Sequence, residues 1–123
     1  MTVRTPRELI ELYWEEVWNK GNVELIREIC TDPMVRHYPG KIVVIHHDDQ
    51  VERVRKMVEE MQPHFSHEVL VADDHAASSV WNMTSPIEKY AKLSSIETFR
   101  IKDGRLWHTW NATNAWDHWG VEE

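Results

Sequence analysis

Apolar residues recur every three or four positions in the first half of the chain, which is the spacing of an amphipathic helix. The first such stretch follows Thr5–Glu8, a capping-box sequence with proline at the first helical position, and Gly21 ends it. A second helix is predicted over about Val23–Cys30. A third begins at His47-Asp48-Asp49 and closes at Pro63. The pattern therefore predicts three N-terminal helices.

From Phe65 onward the pattern changes to the alternation of apolar and polar residues that is typical of strands. Two shorter extended stretches, Met34–Tyr38 and Lys41–Ile45, come before the third helix. Helices followed by a run of antiparallel strands indicate an α+β fold, with the helices packed on one face of a curved sheet, in a single domain over residues 1–123. The four later strands are predicted at Phe65–Ala72, Ala77–Thr84, Tyr90–Ile101 and Leu106–Thr113.

Composition narrows the class of protein. The formal charge of −7, with no cluster of lysine and arginine, argues against a nucleic-acid partner. Cys30 is the single cysteine, so an internal disulfide is impossible and a reducing compartment is expected. No apolar run reaches signal-peptide or membrane-span length. We therefore expect a soluble, cytoplasmic protein that has no membrane or nucleic-acid partner.

Glu97 is the first candidate for chemistry. It shares its strand face with Phe99 and Ile101, so the alternation directs the carboxyl group inward. Desolvation there would favour a protonated acid that can donate or shuttle a proton. The alternative is a structural carboxyl group bound to a neighbouring tryptophan N–H or histidine.

His37 and Tyr38 are the next candidates. They are adjacent, so an extended chain sends them to opposite faces and only one can enter a pocket. The chemistry of proton transfer at neutral pH favours His37 as a general base.

Histidine-rich and acidic turns raise the question of a metal site. His46–Asp49 and Asp73–His75 are locally dense, but both are placed at turns or at a helix start. The sequence has no helical histidine pair four residues apart and no Cys/His zinc pattern. Phosphate-binding glycine loops and GxSxG elbows are also lacking. No metal ion and no cofactor are therefore expected.

Three sequence features follow one another along the chain: GN after the first helix, DPMVRHYPG after the second, and ETFRIKDGRLWHTWN near the end. In this order they resemble the SnoaL-like proteins of the nuclear-transport-factor-2-like (NTF2-like) superfamily. The superfamily includes ketosteroid isomerase, scytalone dehydratase, limonene epoxide hydrolase and polyketide cyclases. The resemblance implies a conical α+β barrel, in which a curved, mostly antiparallel sheet wraps three helices around one deep apolar pocket. It also implies a homodimer through the convex sheet face.

The resemblance assigns family positions to residues of this chain. The general base of the isomerases falls on Tyr38, with His37 beside it, and their oxyanion-binding tyrosine falls on Trp14. Their second acid falls on Glu97, and the aspartate of the hydrolases and cyclases falls on Asn111. One acidic position of three is therefore acidic here, which argues against known steroid isomerase and aspartate-driven cyclase chemistry.

The length of the hairpin loop at Lys102–Arg105 decides which residues lie beside Glu97. A two-residue loop places His108 and Trp110 on its face. A three-residue loop with a glycine bulge places Trp107, Thr109 and Asn111 there instead. Family spacing requires Asn111 and Glu97 in one pocket, so we predict the three-residue loop.

The function implied is that of a cofactor-independent isomerase, cyclase or dehydratase acting on an apolar, ring-containing substrate. Glu97 would be the acid or oxyanion donor, Tyr38 or His37 the proton acceptor or orienting group, and Asn111 a neutral hydrogen-bonding group. Seven tryptophans suggest an aromatic pocket wall. The alternatives are a non-catalytic binding or assembly module and an epoxide hydrolase, against which Asn111 argues. The predicted substrate-binding residues are Trp14, Trp18, Trp81, Phe99, Trp107 and Thr109.

Overall fold

The computed structural model describes residues 3–111 and 114–120. Helix α1 (Pro6–Leu12) begins at the predicted capping box, in which the Thr5 hydroxyl accepts from the Glu8 amide and the Glu8 carboxylate accepts from the Thr5 amide. The helix continues without a break as a π-helical segment, Tyr13–Asn19. The first predicted helix is confirmed.

The other two helices differ in how closely they match the prediction. A 3₁₀ turn at Val23–Leu25 leads into helix α2 (Ile26–Ile29), which ends earlier than predicted because Cys30 is already extended. Helix α3 (His47–Met61) has the predicted bounds, and Gln62 ends it in the left-handed conformation. Within the described ranges, no helix is both long enough and apolar enough to cross a membrane.

Six strands form one curved, unclosed sheet in the order β2-β1-β6-β5-β4-β3. Neighbouring strands are antiparallel except β1 and β6, which are parallel. This confirms the α+β class and the mostly antiparallel sheet. The strands are β1 (Cys30–Tyr38), β2 (Lys41–Ile45), β3 (His64–Ala72), β4 (Ala76–Thr84), β5 (Lys92–Lys102) and β6 (Arg105–Asn111).

Two strand predictions need correction. Strand β1 starts at Cys30 rather than Met34 and runs through Pro33. The proline fits because the β1–β6 register is irregular between Cys30 and Val35, so the ladder does not need its missing N–H. Tyr90 belongs to a 3₁₀ turn rather than to β5. The predicted end of β6 at Thr113 lies outside the described residues.

The β5–β6 hairpin has a two-residue loop, so the predicted three-residue loop is wrong. Asp103 and Gly104 have φ values of +52° and +72°, as a type I′ turn requires. A β-bulge at Trp107 follows, because Ile101 pairs with Leu106 while Arg100 pairs with His108. The extra residue shifts the rest of β6 by one position, so each side chain after Trp107 lies on the opposite sheet face from the one it would have in a regular hairpin.

Because of this bulge, Glu97 has the predicted neighbours even though the loop is one residue shorter than predicted. Glu97 pairs with Asn111, and Thr109 pairs with Phe99 on the same inner sheet face. His108 and Trp110 face the opposite, outer side. The helices cover the inner face, and the apolar core lies between the helices and the sheet.

Candidate functional site

A cavity of about 70 Å³ lies inside the fold, between the π-helical segment, α3 and the inner face of the sheet. Apolar cavities of about 150 Å³ are large enough to hold benzene. The cavity therefore has room for a small polar group, and it is smaller than the deep pocket that the resemblance implies. Its aromatic lining is Tyr13, Trp14, Trp18, Phe65 and Trp81, and its polar lining includes Arg36, Arg53, Glu97 and Asn111.

Glu97 and Arg36 form a buried ion pair at this cavity. Their exposed fractions are 3% and 4%, and Arg36 Nη2 lies 3.5 Å from Glu97 Oε2. The Thr109 hydroxyl donates to the same oxygen over 2.7 Å. Among residues 3–111 and 114–120, both contacts are made to Oε2, so Oε1 is the oxygen that a proton donor in the cavity would meet.

Arg36 keeps its charge inside the protein. Burial lowers the pKa of its guanidinium, but attraction to Glu97 and to the Tyr13 and Tyr38 phenols outweighs burial and raises the pKa overall. Among the described residues, the partners of the Glu97 carboxyl group are therefore a guanidinium and a hydroxyl group, rather than the tryptophan N–H or histidine of the structural alternative.

Tyr38 is on the inner face and His37 is not. Arg36 Nε donates to the Tyr38 hydroxyl over 2.9 Å, which places this phenol next to the ion pair. His37 Nε2 lies 2.8 Å from His108 Nδ1 on the outer face, where the His37 ring stacks on Trp110. Of the two sequence candidates, only Tyr38 is linked to Glu97, and the link runs through Arg36. Tyr38 itself borders the outer groove described below, and it is not among the residues that line the interior cavity.

Most of the other predicted site residues lie at the cavity or pack against its lining. Trp14, Trp18 and Trp81 line it, while Phe99 is fully buried and packs edge-on against Tyr13 with 5.3 Å between ring centroids. Asn111 lines it too, and its amide donates to Ser95 Oγ and to the Ile96 carbonyl.

Trp107 lies apart from this group. It is the bulge residue, and its ring contacts Lys102 and His108. The predicted place of Trp107 in the pocket with Glu97 is therefore wrong.

Arg36 is the residue that the sequence analysis missed. The sequence gives little sign that Arg36 is buried, because an arginine near a strand end, two residues before Tyr38-Pro39-Gly40, is typical of a solvated position. Its place on the same strand face as Met34 and Tyr38 was the available sign, since Met34 is also buried.

The outer face of the sheet carries a wide, open groove of about 900 Å³ that Tyr38–Ile42, Ile96 and Trp110 border. This groove is larger than the interior cavity, but it contains no buried ion pair, and we place the candidate site inside. The outer face also exposes apolar side chains, among them Ile42, Val44 and Trp110. A homodimer through this face stays a prediction.

The described residues contain no group of three or more His, Cys, Asp or Glu side chains placed to hold a metal ion. The cavity's polar groups are two guanidinium groups, a carboxyl group, a phenol, indole N–H groups and amides, which suit hydrogen bonding and proton transfer.

His67 makes stability sensitive to mild acid. It contacts Trp14 and Ser79, and burial lowers its pKa below the usual 6.5 despite opposing attraction to Glu15 and Glu11. Above about pH 6.5 both folded and unfolded chains hold a neutral imidazole. As the pH falls, the unfolded chain takes up the proton first, so stability is lost.

We therefore expect the thermal unfolding temperature to fall between pH 7.5 and pH 5.5, and to fall less in His67→Gln. Differential scanning fluorimetry across this range measures the effect. His64→Gln, at an exposed position on the same strand, is the control and should keep the native profile. An identical pH profile in His67→Gln and the native protein would contradict the prediction.

The protein-family model of the SnoaL-like domain matches residues 10–109 of the sequence, which is most of the chain. The chain belongs to the SnoaL-like domain family. No curated protein matches this SnoaL-like domain at significant similarity. The match agrees with the architecture described above and confirms the family that the sequence indicated.

Several solved structures have the same fold as this SnoaL-like domain. A proposed polyketide cyclase from Acidithiobacillus ferrooxidans is 21% identical, with a TM-score of 0.73, covering 93% of this chain and 91% of that one. A proposed ketosteroid isomerase from Kribbella flavida is 15% identical, with a TM-score of 0.73, covering 96% and 82%. An LEH-like epoxide hydrolase from M. tuberculosis is 13% identical, with a TM-score of 0.70, covering 85% and 78%. At these identities the likeness shows that the SnoaL-like domain has the NTF2-like fold.

Proposed function

We propose that this SnoaL-like domain is a cofactor-independent enzyme of the isomerase, cyclase or dehydratase type, which moves a proton next to a carbonyl or hydroxyl group of a ring-containing substrate. The observation that carries the proposal is the Glu97–Arg36 ion pair at an aromatic cavity. Burying two charges is costly and is weak evidence for a purely stabilising role. Ionisable groups whose environment is so unusual cluster at functional sites.

In the proposed reaction Glu97 is the proton acceptor. A proton leaves the carbon next to the substrate carbonyl and bonds to Oε1, while its electron pair passes to the carbonyl oxygen as an enolate. Arg36 would stabilise the developing negative charge, and Thr109 would hold the carboxylate in place through Oε2. Return of the proton to another carbon gives an isomer. The surrounding aromatic side chains keep water out, which strengthens each of these contacts.

The size of the cavity limits how the substrate enters. About 70 Å³ accepts the reacting carbonyl end, whereas a ring needs outward movement of the tryptophan walls. The π-helical segment that carries Trp14 and Trp18 is the element whose shift would widen the cavity, since π-helical turns are often found at functional sites.

Glu97→Gln is expected to reduce proton transfer by about 10²–10⁴-fold, because the amide cannot accept the proton. The assay is deuterium incorporation next to the carbonyl of cyclic ketones and ring-bearing keto acids in D₂O, followed by NMR. Glu88→Gln, which removes an exposed carboxylate, is the matched control and should exchange at the native rate. Equal exchange by Glu97→Gln and the native protein would refute the proposed role.

A non-catalytic binding module is the second candidate. It is favoured by the presence of Tyr38 and Asn111 where the resemblance places carboxylates, and by the small size of the cavity. A ligand that quenches tryptophan fluorescence and is recovered chemically unchanged, with no deuterium, supports the module. Epoxide hydrolysis is less well supported, because the Asn111 amide nitrogen is already bound to Ser95 and Ile96 and an amide cannot activate water as a base.

A further inference from the structure

Four of the residues that line the interior cavity have a buried hydrogen-bond donor without an acceptor among the described residues. The indole N–H groups of Trp14, Trp18 and Trp81 and the Nη1 group of Arg36 are buried and find no partner within residues 3–111 and 114–120. All four residues line the cavity. Buried donors are normally paired, so four orphaned donors around one cavity indicate a missing acceptor.

The charge of the lining is positive although the protein is acidic. Arg53, on α3, also lines the cavity, and its only hydrogen bond among the described residues is a long one of 3.4 Å to the Gln50 side-chain oxygen. No carboxylate of the described chain lies within ion-pair distance of Arg53. Two arginines and one glutamate therefore give the lining a net positive charge in a chain whose formal charge is −7.

We propose that the cavity binds the carboxylate group of a small planar organic acid, so that the ligand of this site is an anion. The inference rests on the proposed function only in taking the ligand to be the substrate, which is then a ring-bearing keto acid whose carboxylate group lies beside its reacting carbonyl group. An ionised carboxylate accepts hydrogen bonds at two oxygens and donates none, which matches a lining of N–H donors. A neutral hydrocarbon would leave every donor unpaired.

Arg36 and Arg53 would each contribute to binding of the ligand carboxylate. Arg36 is held in place by Tyr38 and Glu97 and presents its unpaired Nη1, whereas Arg53 is half-buried and supplies charge from α3. Guanidinium groups suit carboxylates because their planar donors match the two oxygens. Glu97 opposes an anion, so its removal should strengthen binding.

Benzoate and benzamide are the probes, since they have nearly the same shape and differ in charge at neutral pH. Quenching of tryptophan fluorescence in the native protein is expected to give a dissociation constant for benzoate about tenfold lower than for benzamide. Equal affinity for the two probes, or no saturable quenching by benzoate at millimolar concentrations, would overturn the proposal.

Variants test which residues carry the recognition. Arg53→Gln should weaken benzoate binding about tenfold and leave benzamide binding unchanged. Arg55→Gln is the matched control, because Arg55 lies on the same helix and pairs with Glu24 and Glu52 outside the cavity. Unchanged benzoate affinity in an Arg53→Gln protein that melts at the native temperature would overturn the proposal.

Glu97→Gln separates this inference from the proposed function. It is expected to bind benzoate more tightly than the native protein, even where it has lost proton exchange. Tighter binding without any exchange activity in the native protein would support the anion site and count against the enzyme. Weaker benzoate binding in Glu97→Gln would place the ligand away from the ion pair and overturn the inference.

Discussion

Replacement of Arg36 by methionine is expected to lower the free energy of unfolding by about 3–5 kcal/mol. Glu97 is 3% exposed, and Arg36 is the only cation within ion-pair distance of it in the described chain. The variant would leave a carboxylate inside an aromatic core with the Thr109 hydroxyl as its remaining donor among the described residues. Urea denaturation followed by tryptophan fluorescence measures the loss.

The double variant Arg36→Met with Glu97→Gln is expected to recover most of this stability, since it removes both charges together. Arg55→Met is the control at an exposed ion pair and should change stability by less than about 1 kcal/mol. A single Arg36→Met variant as stable as the native protein would show that the pair is not buried as described.

Replacement of Phe99 by alanine is expected to cost about 3–5 kcal/mol of stability. Phe99 is fully buried, two residues from Glu97, and its ring packs edge-on against Tyr13 and Trp14. Its loss would leave a void beside the existing cavity. Urea denaturation measures the loss, and benzene should raise the melting temperature of this variant by filling the void.

Ile96→Ala is the matched control for Phe99→Ala. Ile96 lies on the same strand but faces outward and is 37% exposed, so its truncation should cost far less. Benzene should leave the melting temperature of the native protein and of Ile96→Ala unchanged. A similar loss of stability in both alanine variants would contradict the placement of Phe99 in the core.

The sequence predicted those features of the fold that depend on local pattern. The capping box at Thr5, the third helix and the alternation that turns Glu97 inward all follow from spacings within a few residues. The early start of β1 at Cys30 did not, because Cys30 pairs with Leu106, far along the chain. The local sequence Thr31-Asp32-Pro33 is typical of a break.

The hairpin shows a second limit of sequence reasoning. Asp103-Gly104 is a strong signal for a two-residue loop, and family spacing pointed to the opposite register. A bulge at Trp107 satisfies both, since it adds one residue after a two-residue loop. No local feature of the sequence around Trp107 distinguishes a bulge from a regular strand position.

For the same reason, the sequence predicted Glu97 as a site residue but not its partner Arg36. Glu97 could be found because its own strand alternates. Arg36 is buried because β6 lies beside β1 and brings Thr109 next to it, and that pairing is long-range. A charged residue near a strand end gives no local sign of such a neighbour.

The place of β6 in the sheet has a consequence for the order of folding. During synthesis, the β1–β2 pair and the β3–β4–β5 meander can each form as separate hairpin units, but they share no edge until β6 is made and inserts between them. The last of the six described strands to be synthesised is thus the one that joins the two halves of the sheet. Such a high contact order predicts slow folding that is completed only after β6 has emerged. Until then, the two sheet edges that later receive β6 stay unpaired, and a nascent chain stalled before Arg105 would expose both of them to chaperones or to aggregation.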